Sequence, residues 1–180
     1  MSRILPFFFL LSFVGFPALA ASEGEFVDEF ARLCLRGMPS IDTVKATAIQ
    51  NGYVDVTDAG PLKPEHESAI WLGKKMREGL LMLELASTEV PPTHAALFDG
   101  SSITVCRIGY IGVSGPEIGK LDLLVSDVLA SSPQSLVNNG MRVWIWDTLI
   151  NFRQSQVKLT EVIGDKQSGV SLELVAPYEE

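Results

Sequence analysis

The chain is short of the residues that most reaction centres use. Only two histidines and two cysteines occur, and 14 basic residues stand against 22 acidic ones in 180 positions. With a formal net charge of −8 there is too little base to neutralise a phosphate backbone, so nucleic acid is not an expected partner. His66 and His94 do not form the His-Glu-x-x-His spacing that puts two ligands on one helix face, and no metal site is expected. The absence of a Cys-x-x-Cys pair argues against dithiol redox chemistry. Gly109, Gly112 and Gly115 lead from a strand pattern into a helix start, but a Walker A loop would need Gly at Ser114 and Ser or Thr at Leu121. The Gly-x-Gly-x-x-Gly spacing fails too, so no cofactor is expected. Gly112-Val113-Ser114-Gly115 also lacks the Gly-x-Ser-x-Gly elbow, and Ser114 reads as a helix cap.

Hydrophobic residues are abundant, at 47% of the chain, and unevenly placed. Met1 to Ala20 has Arg3 as its one charge, an apolar run from Ile4 to Phe16, and Ala18-Leu19-Ala20 at its end. This is the pattern of a secretory signal peptide cut after Ala20. The run is too short to span a bilayer, and Pro17 closes it. No stable membrane anchor is therefore expected after removal of the leader. Residues 21–180 then make a single exported α+β domain, periplasmic or secreted. In such a compartment Cys34 and Cys106 are expected to pair as a disulfide.

Periodicity assigns the elements. Ser22-x-x-Glu25 is a capping box, and Phe26, Phe30, Leu33 and Cys34 share one helix face before Gly37. Ser40 caps a second helix to Asn51, followed by a short strand near Val54. Thr57 to Ser68 reads as a loop that ends in a short helix near Trp71. Period-two patterns follow at Leu80 to Ser87, Ile103 to Ile111, Met141 to Phe152, Val157 to Ile163 and Val170 to Val175. One helix, to about Ala130, is inserted after the second of these. The expected architecture is a mostly antiparallel sheet of about five strands, in the order ααβ-ββαβββ, with the helices packed on one face. No internal repeat is visible.

Charges that interrupt apolar strand faces are the best chemical candidates. Glu84, Arg107, Asp147 and Glu161 each share a face with aliphatic residues. Aligned in register, they would form either an ion-pair network or a pair of carboxylates, one of them with a raised pKa. Arg142, Trp144 and Trp146 project to one side of a strand, where two indoles and a guanidinium could make a binding platform or pack as core. The favoured expectation is a non-catalytic binding or interaction module with an unknown protein or small-molecule partner. The alternative is a small secreted hydrolase that uses clustered carboxylates or His66.

Overall fold

A computed structural model describes residues 23–58, 69–76, 79–90, 96–98, 102–112, 116–138, 141–163 and 168–178. The leader, the Ser22 cap, His66, His94 and Ser114 lie outside the described residues. Among those described, no helix is long and apolar enough to cross a membrane.

The first helix, α1 (Glu23–Phe30), runs into a π-helical turn, Ala31–Leu35. Leu33 and Cys34 lie in this turn, and both are fully buried with Phe26 and Phe30. Helix α2 (Ile41–Gln50) begins as the sequence predicts, with the Ser40 side chain accepting from the Thr43 amide. It packs close to the end of the preceding helix, where a Cβ on Gly37 would lie 2.6 Å from Val44 Cγ2. Only glycine fits there.

Eight strands follow: β1 (Val54–Asp55), β2 (Ile70–Lys75), β3 (Gly79–Glu89), β4 (Ser102–Gly112), β5 (Gln134–Asn138), β6 (Met141–Ile150), β7 (Arg153–Ile163) and β8 (Ser168–Pro177). Helix α3 (Ile118–Leu129) separates β4 from β5. All strands belong to one antiparallel sheet of order β1-β2-β3-β4-β8-β7-β6-β5. The mixed α+β class therefore holds, the strand count among the described residues is corrected from about five to eight, and the order of helices and strands differs in detail from the one expected. Two strands escaped the sequence reading for physical reasons. β2 is apolar on both faces and ends in Lys74 and Lys75, so it shows no alternation, and the segment near Trp71 is strand rather than helix. β5 is a short polar edge with no buried face to mark it.

The strand order has an internal symmetry that no sequence repeat announces. A helix followed by a four-strand meander occurs twice, as α2-β1-β2-β3-β4 and as α3-β5-β6-β7-β8. The last strands of the two units, β4 and β8, pair antiparallel at the middle of the sheet.

The core lies between the helices and one face of the sheet. Phe26, Phe30, Val44, Leu121 and Val125 from the helices meet Leu83, Leu85, Ile108, Leu159 and Leu172 from the strands. Trp146, the largest fully buried side chain, sits beneath α3 and donates from Nε1 to Ser126 Oγ at 3.1 Å. Cys34 and Cys106 form the expected disulfide, with Cα atoms 5.6 Å apart. It joins the π-helical turn to β4, across 72 positions of sequence. A loop of that length gives stabilisation of about 4 kcal/mol in the chain-entropy model. A Cys34→Ala/Cys106→Ala variant is expected to lose about that much in urea denaturation. A loss on the order of only 1 kcal/mol would show that packing alone fixes the first helix on the sheet.

Candidate functional site

Strand alternation gives the sheet a second face that the three helices do not cover. Glu84, Arg107, Glu173 and Lys158 are directly opposed on neighbouring strands β3, β4, β8 and β7, and all four point to this open face. Arg107 donates to Glu84 Oε2 from Nη1 at 3.0 Å and to Glu173 Oε2 from Nε at 2.6 Å. Lys158 Nζ reaches Glu173 Oε1 at 2.7 Å. The result is a row of alternating sign that balances to zero across the four central strands.

Exposure within this row is uneven. The carboxylate side chains of Glu84 and Glu173 are 3% and 7% exposed, whereas those of Arg107 and Lys158 are 25% and 35% exposed. The acids are the floor and the cations the lid. Burial alone would raise the Glu173 carboxyl, but the charges of Lys158 and Arg107 and their hydrogen bonds outweigh it and hold the group below the usual carboxylate range.

Beside this row the face is hollow. Gly109 and Gly169 fall on the central strands β4 and β8 with no side chain to fill the space above them. A Cβ on Gly109 would meet nothing nearer than the Val170 carbonyl oxygen at 3.7 Å, and one on Gly169 would meet nothing within 4 Å. The glycines thus serve as space rather than as turns. Trp71, Met82 and Ile111 wall one side of the cavity, Thr160 and Ser171 line the other, and Glu84 and Arg107 close one end. Its volume is about 210 Å³, below the roughly 300–1,000 Å³ of sites for drug-sized ligands.

The residues singled out from sequence divide among several places. Glu84 and Arg107 come together as one cluster. Asp147 shares the open face but lies toward the sheet edge, accepting from Gln156 Nε2 at 3.2 Å. Glu161 points to the helix face and pairs with Arg142 at 2.8 Å. The carboxylates of Glu84, Asp147 and Glu161 therefore do not converge. Trp146 is enclosed in the core and Trp144 is packed against it, so the two indoles form no exposed platform. Large aromatics at alternate positions of a strand under a helix bury more area as core than they could as surface. Arg142 is left on the surface with Glu161 as its partner.

Glu173 and Lys158 were missed. Their signal was a lone charge inside an apolar run, Leu172-Glu173-Leu174 and Val157-Lys158-Leu159, the same signal that marked Glu84 and Arg107. A second cavity, of about 540 Å³, runs along α1 and is lined by Glu25, Asp28, Arg32, Arg36 and Lys74 among others. Its central groups are already matched, since Glu29 pairs with Arg32 and with Lys74. Burial, with Arg32 nearby, pushes the Lys74 ammonium below the ordinary lysine range.

Breaking the row should be far more damaging than exposed ion pairs would suggest. Arg107→Ala removes the cation between two buried carboxylates, leaving Glu173 with Lys158 alone, and is expected to lose about 3–5 kcal/mol. The acid dependence follows from the depressed Glu173 group. Its contribution is complete above the ordinary carboxylate pKa and is lost as pH falls through the lower folded value. In urea denaturation the gap between the native chain and Glu173→Gln should be widest at neutral pH and close on acidification. A gap that stays constant would refute charge pairing as its source. Comparison of the chain with protein-family models, with curated proteins and with solved structures gives no match, so the site is read from its own geometry.

Proposed function

We propose that this protein is an exported, non-catalytic binding module that receives its ligand on the open face of the sheet. The observation that carries this reading is the glycine-floored cavity over Gly109 and Gly169. Two adjacent central strands each lack a side chain, at diagonal positions of the same face. A sheet that needed only stability would place β-branched residues there.

The chemistry of the walls selects the ligand. Indole, thioether and aliphatic carbon face the cavity from Trp71, Met82 and Ile111, and the hydroxyls of Thr160 and Ser171 offer weak polar contacts. The charged end is internally neutralised, so it attracts no net charge of either sign. A compact, neutral, largely apolar group fits, as a free small molecule or as the anchoring side chain of a partner protein. Acid–base chemistry finds less support. Glu84 is held by Arg107, and the two cations beside Glu173 keep that carboxylate ionised and occupied rather than poised to exchange protons.

Gly109→Leu is the direct test, because a Cβ at this cavity-lining position meets nothing nearer than 3.7 Å. Phenol and cyclohexanol serve as neutral probes in saturation-transfer NMR. Both should bind the native chain, and Gly109→Leu should abolish the signal while unfolding at the same urea concentration. Failure of both probes on the native chain, or equal binding to the variant, would overturn the site.

Export is supported by the leader pattern together with the Cys34–Cys106 bridge, which belongs to an oxidising compartment. Expressed from Met1 in a bacterial host, the chain should be recovered from the periplasm with Ala21 as its first residue by intact mass. Recovery of the uncut chain in the cytosol would contradict this.

A further inference from the structure

The eight-stranded sheet has two edges, and they are managed differently. At one, β1 is only two residues long, its Asp55 pairs with Lys45 at 3.2 Å, and the next residue, Val56, donates to the Trp71 carbonyl. At the other, β5 is five residues long and, among the described residues, is paired on one side alone, with β6. Edges of this kind are normally blunted by charge, proline, a bulge or a covering element, because an open row of amides and carbonyls templates another strand. β5 contains neither a charge nor a proline, and its ladder with β6 is unbroken. Leu136 and Val137 at its centre are 58% and 79% exposed, on opposite faces.

The charge pattern points to the occupant. In a chain of net charge −8, the stretch from Val128 to Met141 carries no ionisable side chain. A basic or acidic partner would find no complement there, whereas two identical chains would meet without the repulsion that the rest of their surface imposes. The strand is also compatible with itself. Antiparallel pairing about a two-fold axis at Leu136 sets Leu136 against Leu136 on the open face and Ser135 against Val137 on the helix face. Val128 adds to this side. It lies on the same stripe of α3 as Leu121 and Val125, yet it is 47% exposed where they are buried.

We infer that β5 is a homotypic docking edge, through which two copies join their sheets into one continuous antiparallel sheet. A single five-residue strand with one helix end buries less than a standard stable interface, so the association belongs to the weak, concentration-dependent class.

Sedimentation velocity on the chain without its leader, from micromolar to millimolar concentration, should show a monomer that becomes a dimer. Leu136→Lys and Leu136→Glu are surface changes that leave the core intact. Each alone sets like charges opposite each other and should weaken dimerisation at least tenfold. An equimolar mixture of the two should restore it, since only a pairing centred at this position brings the opposite charges together. Three outcomes would overturn the inference: a native chain that stays monomeric throughout, a dimer that Leu136→Lys leaves intact, or variants that are both impaired and not rescued by mixing.

Discussion

Two carboxylates buried in the middle of a sheet must each meet a cation, and that requirement fixes how four strands align. Glu84 and Glu173 are nearly inaccessible, and Arg107 lies between them with Lys158 beyond. A slip of one residue in any of these strands would turn its charge toward the helices and its leucines toward water. A slip of two would keep the faces correct and still leave a buried acid without its partner, at a cost of several kcal/mol. The hydrophobic pattern therefore selects the face, and the ion pairs select the register among those the face allows. The hollow over Gly109 and Gly169 depends on this alignment, which sets the two empty positions diagonally on neighbouring strands, Gly109 opposite Ser171 and Gly169 opposite Ile111.

The polar row and the apolar core occupy opposite sides of the same strands. Each central strand sends leucine, isoleucine or cysteine to the helices, while the other face carries the charged row and the glycines together with Met82, Val105, Ile111 and Val175. The disulfide works on the first side only. It fastens the π-helical turn to β4, directly opposite Leu174 of β8 and Leu85 of β3 in the same row. The open face is left free of covalent constraint, and the side chains around the cavity are held instead by strand pairing.

What the sequence disclosed follows from what leaves a periodic trace. The inward face of the first helix, the Ser40 cap, the long strands and the disulfide were legible because each involves a buried stripe, a specific cap or a rare residue. β2 and β5 were not. β2 has apolar residues on both faces, and β5 has no buried residue, so neither alternates. For the site, a lone charge in an apolar strand was an adequate signal for Glu84 and Arg107, but it cannot say which strands are neighbours. β4 and β8 are adjacent in space although 66 positions of sequence separate Arg107 from Glu173. Only that pairing shows that Glu173 belongs to the cluster and Glu161 does not. Trp144 and Trp146 illustrate the converse limit. Their spacing fixes a common side, but whether a helix covers that side depends on the route of α3.

The doubled helix-and-meander topology bears on how the polypeptide is made. Both sulfur atoms precede α3 in the chain, so the half that holds them can close its bridge in an oxidising compartment without waiting for the second unit. The outermost strand of that half is β4, whose neighbour β8 comes last in chain order among the described strands. Until β8 joins it, that half exposes a long unpaired border, with Arg107 facing Glu84 on one side and water on the other. Protection of that border during the interval of synthesis, by a chaperone or by rapid completion, is thus the vulnerable step in its biogenesis.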